Sequence, residues 1–197
     1  MTTFIKRWLS YIFQAPLIAI STAFFGAISL ICSNWDKSGR QQHFISRLWA
    51  YSLMIISLSP VRVINPERLR TGLTAVYVCN HLSYMDTPVI FSRLPFQFRI
   101  LARHGLWTIP FMGWHLERSG QIPVDTSSLR STVASLNRGV ATLNAGMPLV
   151  VFPDGGRSKD GHIQPFQNGA AFVTIRDQVP FIPMSLVRTY EILTSHV

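Results

Sequence analysis

Thr74-Ala75-Val76-Tyr77-Val78-Cys79-Asn80-His81-Leu82-Ser83-Tyr84-Met85-Asp86-Thr87-Pro88 is the stretch on which the reading of this chain turns. The apolar run Thr74 to Cys79 predicts a buried strand. Asp86 followed by Thr87-Pro88 is a helix-start signal, with an N-cap carboxylate and proline in the first turn. His81 and Asp86 lie five positions apart, about 500° of α-helical rotation, so they share no helix face. They meet only across the turn between strand and helix. An imidazole is well suited to removing a hydroxyl proton near neutral pH. A carboxylate on its far nitrogen would fix the tautomer and stabilise the imidazolium. The plain alternative is an isolated histidine followed by a helix cap.

A second polar cluster also follows an apolar run. Met147 to Phe152 reads as a strand and leads into Pro153-Asp154-Gly155-Gly156-Arg157-Ser158. Two glycines let backbone approach a ligand closely, and Arg157 can fork onto a phosphate or carboxylate. Its plain alternative is an Asp-Gly turn with a solvated arginine.

Outward from these two loops the chain alternates strands and helices. Helices are expected at 5–32 and 42–58, 87–94, 129–145 and 168–177, with a helical turn at 106–112. Strands are expected at 61–64, 74–80, 98–102, 121–124, 147–152 and 179–186. The 129–145 helix is the clearest, because Leu129, Val133, Leu136, Val140 and Leu143 recur at spacings of three and four and Gly146 stops it. This alternation predicts an α/β fold with a central, largely parallel mixed sheet flanked by helices. Ligand sites in such sheets gather at the carboxyl ends of strands, where both motif loops fall.

These segments together resemble the glycerolipid acyltransferase family, whose best known members are 1-acylglycerol-3-phosphate acyltransferases. That family carries a His-x4-Asp block, matched by His81 and Asp86. Its Phe-Pro-Glu-Gly-Thr-Arg-Ser block is matched, with changes, by Phe152 to Ser158. Between them Arg103, Leu106, Ile109-Pro110-Phe111-Met112-Gly113 and Gly120 to Asp125 fit further family elements in order, and Phe181-Ile182-Pro183-Met184 fits a closing one. The likeness covers about residues 45 to 190. It implies direct acyl transfer from acyl-CoA or acyl-carrier protein to the hydroxyl of a lysophospholipid, with no acyl-enzyme. His81 would be the base and Asp86 its orienting partner. Arg103 and Arg157 would hold the acceptor phosphate, within a substrate site that includes Asp154, Gly155, Gly156 and Ser158. Backbone N–H groups near Gly155 and Gly156 are candidates for the oxyanion site. The chain departs from the family at four places: Arg103 replaces lysine, Thr126 arginine, Asp154 glutamate and Gly156 threonine. The loss at position 126 removes one expected phosphate contact, which Arg118 or Arg130 would have to replace. It bears on which acceptor is used more than on the reaction. Rival readings are a non-catalytic membrane-anchored lipid-binding module, an acyltransferase for a lyso-lipid without phosphate, and an esterase using Ser83 or Ser158.

The 197 residues suit one domain with an appendage, and 48% of them are hydrophobic. Much of that excess lies at the amino end, where no charge occurs from Trp8 to Trp35. About 20 such residues suffice to cross a bilayer. The run Leu48 to Val61 is shorter and fits an interfacial, re-entrant or core helix. We therefore expect a membrane-associated helical segment over 1–60 and the α/β acyltransferase domain over 61–197. Lys6 and Arg7 make a positive amino-terminal region, so a cleaved secretory signal is the alternative, but the length of the apolar stretch favours an uncleaved membrane segment. It would span the membrane or form a one-sided hairpin with Leu48 to Val61. The chemistry places the domain on the cytoplasmic side of an inner membrane. The net charge of +9 suits anionic lipid headgroups. No basic helix, RNA motif or zinc spacing suggests nucleic acid. Cys32 and Cys79 imply no disulfide, and the six histidines show no metal-ligand spacing. Neither metal nor cofactor is expected beyond the acyl thioester as co-substrate.

Overall fold

The computed structural model describes residues 10–69 and 73–192. The chain opens with a π-helical turn, Ser10–Gln14, that continues into helix α1, Ala15–Cys32. After a short polar link comes α2, Arg40–Ile56. The α/β part then runs β1 (Val76–Cys79), α3 (Asp86–Arg93), β2 (Arg99–Arg103), α4 (Met112–Arg118), β3 (Ile122–Val124), α5 (Leu129–Asn144), β4 (Leu149–Val151), α6 (Gly169–Asp177) and β5 (Phe181–Met184). The strands form one sheet in the order β3-β2-β4-β1-β5, and every pairing is parallel.

Strand β1 lies inside the sheet, between β4 and β5. Val76 sits opposite both Leu149 and Phe181. All four of its side chains are buried because both faces of the sheet are covered. Val76 and Val78 point to one face, where Leu136, Val140 and Leu143 of α5 and Ala170 and Val173 of α6 pack on them. Tyr77 and Cys79 point to the other, against Ala50 of α2, Ile90 and Phe91 of α3, and Phe98. The result is a helix–sheet–helix sandwich, with α2 part of the core. Pro183 is tolerated in β5 because that strand is an edge, paired only with β1.

Helix α1 is built the other way round. Gln14, Ser21 and Ser29 face inward: Gln14 Nε2 donates to the Ile56 carbonyl, Ser21 Oγ meets Ser52 Oγ at 2.6 Å, and Ser29 Oγ meets His115 Nδ1 at 2.8 Å. Phe13, Leu17, Ile20, Phe24 and Ile31 are exposed. Their spacing of three, four and seven places them on one face. Within the stretch Ile12–Cys32 an 18-residue window has a mean hydropathy of 2.0, and only 6% of that window is buried. Polar groups inward and apolar groups outward is the reverse of a soluble helix, and suits one that packs by hydrogen bonds within lipid.

Two sequence expectations give way. Residues 61–64 form no strand; the chain there is irregular and leads to a 3-10 turn at Pro66–Arg68. The helical turn expected at 106–112 is instead two elements, a 3-10 turn at His104–Thr108 and helix α4 beginning beyond Pro110. The first residues of the expected 5–32 helix lie outside the described residues.

Candidate active site

His81 follows β1 directly, and Asp86 is the first residue of α3. Their side chains meet as the spacing requires, with Nδ1 and Oδ2 2.8 Å apart. Asp86 is fully buried, while the His81 side chain keeps 15% exposure. Asp86 does not cap its helix: no side-chain cap bond forms. Its Oδ2 instead turns back and accepts the backbone N–H groups of Leu82 and Ser83, at 2.7 and 2.8 Å. One oxygen thus holds both the imidazole and the loop that carries it. The other, Oδ1, is buried and has no hydrogen-bond partner among the described residues. In the tautomer that donates its Nδ1 proton to this carboxylate, Nε2 carries the lone pair. The imidazole stacks on Phe152, with centroids 4.2 Å apart and planes at 22°. The ring is therefore fixed at its edge by Asp86 and on its face by Phe152.

Phe152 leaves β4, the strand beside β1, so the two motif loops are adjacent. Asp154 ties them together. Its Oδ2 accepts the His81 backbone N–H at 3.0 Å, and its Oδ1 accepts that of Gln164 at 3.2 Å. The Ser158 N–H donates to the His81 carbonyl at 3.0 Å. Ser158 is fully buried; its hydroxyl donates to Asp160 and accepts from the Gly161 N–H. Asp154 and Ser158 thus make bonds that shape the loop. Gly155 has φ +70°, and a Cβ there would run into the Gln167 side-chain amide. Gly156 faces open space. Arg157 is exposed, with its guanidinium 3.8 Å above the Tyr84 ring.

Arg103 ends β2 and lines a cleft of about 330 Å³ with His104, Asp125 and Thr126 at the carboxyl ends of β2 and β3. Along this edge of the sheet the order is therefore cleft, Arg157 loop, His81. Arg118 is not part of it: its Nη1 donates to Ser33 Oγ beyond α1. A larger apolar cavity, about 550 Å³, lies between α1 and α2, lined by Ile28, Cys32, Phe44 and Ile45 and by no residue of the dyad. Burial pushes the Cys79 thiol up to about 12, so it is a poor nucleophile. Among the described residues no three His, Cys, Asp or Glu side chains gather as a metal site would need.

Sequence reasoning gave no role to Phe152 or Tyr84, though both stood in the quoted motifs. It also missed the clamp at Asn80, whose side-chain amide exchanges two hydrogen bonds with the Leu186 backbone and closes β5 onto the site.

The fold and site define a class: a parallel α/β sheet with a histidine paired to a buried carboxylate at its carboxyl edge, beside a glycine loop bearing arginine. The comparisons give that class a family. Residues 60–187 match the family model described as Acyltransferase, and the chain belongs to the acyltransferase family. It is 36% identical over 155 residues to a chloroplastic 1-acyl-sn-glycerol-3-phosphate acyltransferase of Arabidopsis thaliana, a match over 77% of this chain and 42% of that protein. A chloroplastic counterpart from Brassica napus is 34% identical over 81% of this chain and 46% of its own. The chain spans about half the length of these two relatives. It is 32% identical to the 1-acyl-sn-glycerol-3-phosphate acyltransferase of Helicobacter pylori, over 95% of this chain and 76% of that one. Its fold matches the crystal structure of the 1-acyl-sn-glycerophosphate acyltransferase of Thermotoga maritima with a TM-score of 0.82, at 23% identity, over 98% of this chain and 79% of the other.

Proposed function

We propose that this chain moves a fatty acyl group from a thioester, acyl-CoA or acyl-carrier protein, to the hydroxyl of a lysophospholipid. The acceptor we favour is 1-acylglycerol-3-phosphate, which would become phosphatidic acid. His81 Nε2 takes the hydroxyl proton as the oxygen attacks the thioester carbonyl carbon. The C–S bond then breaks, and the thiolate leaves with the proton from Nε2. Asp86 holds the ring and balances its transient charge. Arg157 and the cleft at Arg103 bind the acceptor's phosphate. The observation that carries this reading is the 2.8 Å contact between His81 Nδ1 and a fully buried carboxylate. Exposed α1 supports work at a membrane, and we place the catalytic domain on the cytoplasmic side of an inner membrane.

The test is incubation of the purified protein with labelled acyl-CoA or acyl-carrier protein and a panel of lyso-lipids, with products identified by mass. A new ester on 1-acylglycerol-3-phosphate supports the reading; free fatty acid alone would make the protein an esterase. Thr126, lining the cleft where the family has arginine, favours a second reading: an acceptor without phosphate. That acceptor belongs in the same panel.

A further inference from the structure

The segment from Ile109 to Trp114 turns large apolar side chains to the outside of the α/β domain. Ile109 is 44% exposed, Phe111 67%, Met112 43% and Trp114 56%. The Phe111 and Trp114 rings pack edge to face, 5.1 Å apart, so they form one ridge. The exposure is built into the backbone. Phe111 has φ +63°, a region that costs a non-glycine residue on the order of 1–3 kcal/mol and persists only where neighbours enforce it. Gly113 closes the turn around it: its N–H donates to the Ile109 carbonyl at 2.8 Å, and any Cβ there would strike the Trp107 carbonyl oxygen.

Helix α4 also fixes where this ridge stands. His115 Nδ1 meets Ser29 Oγ, and Arg118 Nη1 meets Ser33 Oγ at 3.0 Å. Moving along α4 from residue 115 to 118 therefore advances along α1 from 29 to 33, so the two helices run the same way. One turn back from His115 the ridge comes level with about residue 25 of α1, well inside the apolar stretch Ile12–Cys32. Arg103 and His104 line the neighbouring cleft together with Asp125, and Arg118 closes α4 one turn beyond Trp114, with Glu117 bound to Trp107 Nε1. Apolar side chains at the level of an apolar helix, with Arg103 before them and Arg118 after them in the chain, match the layering of acyl chains beneath anionic headgroups.

We infer that the Ile109–Trp114 ridge is a second membrane contact, made by the α/β domain itself, which enters an anionic phospholipid bilayer and sets its surface against the β2–β3 cleft. Only the 3-10 turn at His104–Thr108 separates ridge from cleft. An acceptor whose acyl chain stays in the bilayer would thus present its headgroup at the cleft without leaving the membrane. This rests on the reading of α1 as membrane-associated.

The test places a nitroxide at position 111, as Phe111→Cys in a Cys32→Ser background. Cys79 is buried with its thiol pushed up to about 12, and stays unlabelled. A control carries the label on α6, as Ile175→Cys, a position 76% exposed. The full chain is bound to vesicles of phosphatidylglycerol and phosphatidylethanolamine, and collision with oxygen is compared with collision with a water-soluble nickel chelate. The label at 111 should meet oxygen and be shielded from nickel, and the label at 175 the reverse. Nickel access at 111 on vesicle-bound protein would overturn the inference and leave the membrane reading standing. Shielding from both agents would mean a protein covers the ridge, and would overturn it too. Failure to bind vesicles at all would overturn both. A double variant, Phe111→Ser with Trp114→Ser, should lose at least tenfold in turnover on a vesicle-borne acceptor while keeping its rate on a short-chain, water-soluble one. Equal loss on both substrates would count against the inference.

Discussion

Asp86 Oδ2 accepts from one imidazole and two backbone N–H groups at once. This makes Asp86→Asn informative. An amide oxygen in the Oδ2 place can still accept from His81 and from both loop N–H groups, but the negative charge that would balance an imidazolium is lost; with the amide flipped, a donor faces all three. Turnover should fall by roughly 10²–10⁴ with lyso-lipid binding little changed. Near wild-type kcat for Asp86→Asn or for His81→Ala would sink the proposed mechanism. Arg157 presents a guanidinium fork that an ammonium cannot copy. Arg157→Lys should raise KM for 1-acylglycerol-3-phosphate about tenfold or more and change KM for the thioester less. An acceptor lacking the phosphate is the control; if it is used as well as the phosphate-bearing one, the clamp role is gone. The His81–Asp86 pairing was legible in sequence because a spacing of five across a strand-to-helix turn leaves only one way to meet. The stacking of Phe152 on His81 was not, since it depends on which strand lies beside β1.

Among the elements, α2 carries a titratable group where few are tolerated. His43 is wedged against Phe91 and Phe98, and both of its ring nitrogens are buried. Burial, and then the charges of Arg99 and Arg47, lower its pKa from 6.5 to about 4. Between those values the unfolded chain binds the proton and the folded one does not. Stability from this group is therefore complete above about pH 6.5 and drains away as pH falls towards 4, by about 3 kcal/mol in all. His43→Phe should flatten that slope in urea unfolding followed in mild detergent. An unchanged slope would show that the native ring takes up its proton freely. His115, also lowered by burial, acts in the same direction and would leave some slope behind. Helix α5 was readable from its apolar stripe, though only Leu136, Val140 and Leu143 are buried; Leu129 overhangs into solvent. Helix α4 was hidden because Pro110 reads as a breaker, and the helix starts just beyond it. Val61 to Ile64 alternates like a strand, yet no sheet edge receives it and Ile64 stays 79% exposed.

For the molecule as a whole, the outward apolar face of α1 predicts attachment by buried area more than by charge. High salt should leave the protein on bilayers and detergent should release it. Release by salt alone would return α1 to the soluble fold. The parallel α/β class was legible because strand and helix patterns alternate, whereas the order of strands was not, since nothing in a strand's own residues names its neighbours. That order has a bearing on synthesis. β4 stands between β2 and β1, and Leu149 is the partner of both Arg99 and Val76. Emerging from the ribosome, β1 must therefore wait for a strand made much later before it gains a neighbour, and β5 comes later still. The helices α1 and α2 are complete long before then. The chain thus has α1 and α2 in place before the sheet edge that carries His81 and Arg157 can assemble.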